Sequence, residues 1–173
     1  MAVDVRNRLQ PALLDRLTDE QPDQKKEAES HRAMTKAQLR QAVLRDLAAL
    51  FNSVQPLGEA AMSYPALADT VLNFGLPPLS GQLASKLDAS SLEATIREAI
   101  VRFEPRILPS TLRVSAVEAS SVLDTHNVIE FEIRGHLWSQ PIPLEILLRT
   151  QLDLEAGQVE VRDLAAVAPS KAA

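Results

Sequence analysis

The hydrophobic period of the sequence changes from helical to extended near residue 111, and this change limits the fold to one class. Before it, apolar residues recur every three or four positions, most clearly within 35–52, which predicts amphipathic helices. After it, apolar and polar residues alternate, which predicts strands with one buried and one solvated face. Together these patterns predict an α+β fold, with N-terminal helices packed on one face of a three- to four-stranded, mainly antiparallel sheet.

The helical part contains two segments with a clear helical pattern, of which 35–52 is the first, and one short helical segment. Residues 9–20 predict a short helix with an apolar stripe made of Leu9, Leu13, Leu14 and Leu17. This helix either docks on its own domain or leaves it for another protein, because the charged residues 24–34 that follow predict a mobile connector. A second strong helix is predicted to begin at Ser90, capped by Ser with Glu93 reaching back, and to end at Glu104 before a proline. Between the strong helices, 54–81 are rich in Pro and Gly and predict ordered loop with one short turn near 66–71.

The extended part predicts strands over about 112–116, 129–137, 142–154 and 159–161, with a turn at Ala156-Gly157. The last residues, 165–173, carry no pattern and are expected to fray. The predicted organisation is therefore an N-terminal helix with a flexible connector (1–34), a single α+β domain (35–164) and a frayed tail (165–173).

Composition argues against most catalytic and cofactor-dependent classes. The 173 residues include no Cys and three His, so a disulfide framework, a thiolate metal site and a cysteine nucleophile are excluded, and we expect no cofactor. The net charge of −5 disfavours nucleic acid as the main partner. No run of about 20 apolar residues is present, and the N-terminus lacks the pattern of an export signal, so we expect neither membrane insertion nor export.

Catalytic motifs are also missing, with one pair of carboxylates to consider. The sequence has no phosphate-binding glycine loop, no His-Glu-x-x-His and no Gly-x-Ser-x-Gly. Glu130 and Glu132 share one strand face at a spacing compatible with glycoside hydrolysis, which leaves a peptidoglycan hydrolase as an alternative. On the predicted polar face, however, both would stay ionised, so we expect no enzyme.

The segment Phe103-Glu104-Pro105-Arg106 stands at the junction of helix and sheet. Pro105 fixes the backbone there, and opposite charges flank it. Two interpretations are open: an intramolecular clasp at the helix end, or a rigidly presented anchor for a partner protein.

Five stretches taken in order resemble the TssE family of type VI secretion baseplate proteins, which includes the small wedge protein of T-even phage baseplates. They are LLDRLTD at 13–19, VLRDLAALFNS at 43–53, YP at 64–65, TVLNFGLPPLSG at 70–81 and FEPRI at 103–107. Two departures from the family pattern, Ala48-Ala49 and Pro77-Pro78, bear on loop packing. Both lie outside Glu104-Pro105-Arg106, which we call the Glu-Pro-Arg corner.

The resemblance implies a cytoplasmic structural protein, present in several copies in a symmetric baseplate docked at the inner membrane. Its implied partners are the wedge proteins TssF and TssG and the sheath proteins TssB and TssC, whose sheath starts to assemble on it. The implied wedge interface consists of Glu104, Pro105 and Arg106 with Leu13, Leu14, Arg16 and Leu17. The implied sheath interface is the edge of the last hairpin, at Val159 and Val161, because an unpaired edge strand is a template for strand addition. The alternative is an anti-adaptor-like regulatory binding protein, since one occurs in the same fold family.

Overall fold

One antiparallel sheet organises the chain in a computed structural model, which describes residues 11–18, 34–57, 63–79, 88–117, 128–139 and 141–164. Its strands lie in sequence order as β1-β2-β3-β4. They are β1 (Arg113–Val117), β2 (Val128–Leu137), β3 (Leu144–Asp153) and β4 (Gln158–Asp163). The prediction of an α+β fold with a mainly antiparallel sheet is confirmed.

The helices are α1 (Leu13–Leu17), α2 (Lys36–Phe51), α3 (Pro65–Ala68) and α4 (Ala89–Phe103), with a short 3₁₀ helix at Val71–Asn73. The start of α2 is fixed by a capping box, in which Thr35 accepts from the Gln38 N–H and the Gln38 side chain accepts from the Thr35 N–H.

The predicted cap of α4 is wrong. Its N-cap is Asp88, whose two carboxylate oxygens accept from the N–H groups of Ser90 and Ser91. The Glu93 carboxylate instead accepts from the Ala116 N–H of β1 at 2.7 Å. The two oxygens of Asp88 each satisfy one helical N–H group, and Glu93 does not reach back to a cap N–H because it binds β1.

The core lies between one face of the sheet and helices α2 and α4. Alternate residues of β2 and β3 point into it, as the period of two requires. The sheet supplies Phe131, Ile133, Leu137, Ile146, Leu148 and Leu152, and the helices supply Leu39, Val43, Leu47, Leu50, Phe51, Leu92, Ile96, Ala99 and Ile100. The opposite face of the sheet carries charged residues, among them Glu130, Glu132, Arg134 and Arg149. Among the described residues, helices therefore cover one face of the sheet, as predicted.

The segment between α2 and α4 is held by a close backbone contact at Gly75. Leu76 N–H donates to Ser53 C=O, and Gln55 N–H donates to Leu76 C=O, both at 2.8 Å. Gly75 has φ +125°, and a Cβ there would lie 2.3 Å from the Ser53 carbonyl oxygen. Only glycine fits, because both the backbone angle and the lack of space exclude a side chain.

Several expectations fall on residues outside the described ranges. These are the predicted connector over 24–33, the tail at 165–173 and both ends of the predicted first helix, of which the structure describes Leu13–Leu17. Among the described residues, no helix is both long enough and apolar enough to span a membrane.

Candidate functional site

The Glu-Pro-Arg corner is an intramolecular clasp at the end of α4. Glu104 is the C-cap of the helix, and only 2% of it is exposed. The Arg106 guanidinium donates to it through Nε to Oε1 at 2.6 Å and through Nη2 to Oε2 at 2.5 Å. The Arg106 backbone N–H also donates to Oε1, at 3.2 Å. A buried carboxylate is thus matched by a two-pronged guanidinium, the strongest common form of ion pair.

The clasp continues into a chain of five alternating charges. Arg106 Nη2 also binds Asp46 of α2 at 2.6 Å. The neighbouring Arg45 binds Asp46 at 2.9 Å and reaches across to Asp15 of α1. The sequence Asp15, Arg45, Asp46, Arg106, Glu104 therefore links α1, α2 and the corner; we call it the ion chain.

The ion chain positions α1 with its apolar residues outward. Asp15 faces the domain, whereas Leu13, Leu14 and Leu17 are 71%, 57% and 74% exposed. Arg16 is exposed as well. The structure thus joins the two groups of predicted wedge-interface residues, α1 and the corner, through one side of α2.

Arg45 and Asp46, which form the middle of the ion chain, were not predicted as site residues. Their only sequence signal was their place in the stretch VLRDLAALFNS, one of the five that carry the family resemblance. Their partners are 30 and 60 residues away, a separation that local pattern does not reveal.

Electrostatics keep three members of the ion chain, Asp15, Arg45 and Arg106, charged. The hydrogen bond to Glu104 raises the pKa of Arg106 further above its ordinary value, and the bond from Arg45 lowers the pKa of Asp15. Asp15 in turn raises the pKa of Arg45. Groups with such pKa values do not exchange protons near neutral pH, so these three side chains hold geometry and do not act as acid–base catalysts.

The outer edge of β4 is the second predicted surface. Leu164 N–H donates to Leu147 C=O at 2.9 Å, so the even-numbered residues of β4 direct their backbone groups toward β3. The odd-numbered Val159 and Val161 direct theirs outward, while their side chains pack half-buried against the core. At these two valines, the backbone N–H and C=O groups therefore point to the edge, and the side chains do not.

A family comparison covers α2 and the corner, whereas α1 and β4 lie outside its range. The family model described as baseplate wedge protein gp25 matches residues 37–142. The chain belongs to the baseplate wedge protein gp25 family. Neither the comparison with curated proteins nor the comparison with solved structures gives a match.

Members of the gp25 family are structural baseplate proteins, so a baseplate role follows for this chain. The matched range contains α2, α4, β1 and β2, and with them Arg45, Asp46 and the corner. The recognition of a baseplate wedge protein from sequence is confirmed.

The carboxylates considered for hydrolysis are engaged on the charged face of the sheet. Glu130 accepts from the Gln151 side chain at 2.6 Å, and Glu132 binds Arg134 at 2.6 Å. Glu132 is thus paired with an arginine on its own strand. Within the described parts of the chain, no group of three His, Asp or Glu residues is arranged to hold a metal ion.

Proposed function

We propose that this protein is a non-enzymatic component of a type VI secretion baseplate in the cytoplasm, docked at the inner membrane. It joins the wedge proteins TssF and TssG through one surface and offers the β4 edge to the sheath proteins TssB and TssC through another. The observation that carries the proposal is the ion chain, which fixes the α1 leucines and the corner as one composite surface on a gp25-family domain.

The composite surface has the composition of a protein interface. Three leucines exposed on one short helix provide apolar area that a partner can bury. Arg106 lies beside them in the ion chain with a quarter of its side chain exposed, and arginine is among the residues that most often dominate binding energy. The partner expected from this combination is an apolar surface with acidic groups at its rim.

The wedge role is tested by Leu13→Ser and Leu17→Ser in one chain. Both side chains are exposed, so the free energy of unfolding should stay within about 0.5 kcal/mol of the parent value. Affinity for the TssF–TssG complex, measured by biolayer interferometry, should fall at least tenfold, roughly the effect of losing one interface anchor.

The matched control for this experiment is Val71→Ser, which removes an apolar side chain that is 83% exposed on the 3₁₀ helix. It should leave TssF–TssG affinity unchanged. Equal effects of the α1 variant and the control would contradict the composite surface. Recovery of a proteolytic delivery factor with the tagged chain, in place of wedge proteins, would replace the proposal with the anti-adaptor-like function.

The sheath role is tested by Val161→Pro. This change removes one outward N–H and leaves the ladder to β3 intact, because Val161 does not donate to β3. Sheath assembly in cells should be lost while TssF–TssG binding is kept. Val161→Thr retains the N–H and the branched shape, and it should assemble sheath normally; normal assembly with Val161→Pro would refute strand addition at this edge.

A further inference from the structure

The side chain of Asn52 pairs with the outer edge of β4 as a neighbouring strand would. Its Oδ1 accepts from the Val159 N–H at 2.9 Å, and its Nδ2 donates to the Val159 C=O at 2.8 Å. The same Nδ2 donates to Ala48 C=O at 2.8 Å, which anchors the amide to the end of α2. A primary amide carries the donor and acceptor of a peptide group, so it satisfies both outward groups of one strand residue.

The position of Asn52 leaves little of the β4 edge open. The outward backbone groups of Val159 are occupied. At the other end of the strand, the side chain of Asp163 forms an ion pair with Arg40 of α2 at 2.6 Å. Among the residues that the structure describes, none bonds to the outward groups of Val161. Val161 offers two backbone hydrogen bonds, whereas an added strand of ordinary length forms several.

We propose that Asn52 guards the β4 edge by occupying the outward groups of Val159. An added strand displaces the Asn52 side chain in order to pair along β4 beyond Val161. This inference rests on the proposed sheath role of the edge. The occupant is an extended backbone segment, because both bonds made by the Asn52 amide are those of a peptide group and an incoming strand replaces them in kind. In the unoccupied protein the guard shields an edge that would otherwise pair with a second copy of the chain.

The test compares Asn52→Ala and Asn52→Asp with the parent chain. Asn52→Ala removes both bonds to Val159. Asn52→Asp keeps the acceptor for the Val159 N–H but replaces the donor to the Val159 C=O and to the Ala48 C=O by a carboxylate oxygen, so one of the two bonds to the edge remains. Ser53→Ala is the control, since the Ser53 hydroxyl donates to Ala49 C=O in α2 and not to β4.

Two measurements are made on the full chain. Amide hydrogen exchange by NMR should show the Val159 N–H protected in the parent chain and in Ser53→Ala, and exchanging at least tenfold faster in Asn52→Ala. The Val161 N–H should exchange at one rate in all of these chains. Binding of the purified TssB–TssC complex should be about tenfold tighter to Asn52→Ala, because no bonds at the edge are then lost on binding.

Three outcomes separate the proposals. Unchanged protection of Val159 in both Asn52 variants would overturn the guard. Unchanged or weaker TssB–TssC binding by both Asn52 variants, with binding still abolished by Val161→Pro, would overturn the guard and leave the sheath role standing. Binding of TssB–TssC that Val161→Pro does not reduce would overturn the sheath role and the guard with it.

Discussion

Replacement of Arg106 by alanine should destabilise the fold before it affects any partner. Glu104 is 2% exposed, and both of its carboxylate oxygens bind the Arg106 guanidinium. Without that guanidinium, the described part of the chain leaves the buried carboxylate one donor, the backbone N–H of residue 106, at 3.2 Å. Removing one partner of a buried ion pair costs about 3–5 kcal/mol, because the remaining charge is desolvated without compensation.

Urea denaturation followed by far-UV circular dichroism measures this loss. With a slope of about 2 kcal/mol per molar, the transition midpoint of Arg106→Ala should fall by roughly 2 M. Adding Glu104→Gln to Arg106→Ala should recover part of the loss, since a buried amide is less costly than a buried charge. The double variant is also the better chain for testing wedge binding, because it separates loss of the anchor from loss of the fold.

The control for Arg106→Ala is Arg162→Ala. Arg162 and Glu160 form an ion pair on β4 in which both side chains are more than half exposed. Exposed pairs of this kind contribute little, so the midpoint should not move measurably. An Arg106→Ala midpoint as high as that of Arg162→Ala would refute the argument from a buried ion pair.

Two further predictions concern α1 and the loop at Gly75. Arg45 lowers the pKa of Asp15 below its ordinary 3.8. Docking of α1 should therefore be constant above that pH and should weaken as pH falls through the lower pKa of the folded state, which the α1 amide shifts in NMR spectra report. Docking that strengthens on acidification would contradict the sign. Gly75→Ala should lower the free energy of unfolding by about 2–4 kcal/mol through backbone strain and overlap with Ser53, measured by urea denaturation; a loss below about 1 kcal/mol would contradict it.

The sequence predicted the regular elements because their signals are local. Thr35 and Gln38 lie within one helical turn, and the alternation of Ile129, Phe131 and Ile133 follows from the geometry of a single strand. The predicted start of α4 is wrong because one of the contacts at that end of the helix is not local. Asp88 and Ser90 are both good caps. The Glu93 carboxylate that the predicted capping box needs accepts instead from the Ala116 N–H of β1, which is distant in sequence.

The candidate site was only half predictable because its contacts are distant in sequence. The corner was recognised, and a clasp was one of two interpretations, since Glu104 and Arg106 are two residues apart. Asp46 lies 60 residues from Arg106 along the chain, and Asp15 lies 30 residues from Arg45. Only the folded chain shows that the leucine stripe of α1 faces away from the domain. The helical periodicity of the sequence does not reveal which face of the helix packs on the domain.

Helix α2 connects the two proposed surfaces. Arg45 and Asp46 lie in the ion chain behind the wedge surface, and Asn52 holds the β4 edge, about 9 Å farther along the same helix axis. Leu47, one of the residues between them, is fully buried in the core, so both ends are fixed to one rigid element. The relative position of the proposed wedge surface and the proposed strand-addition edge is therefore set by one 16-residue helix, and not by the loops at either surface.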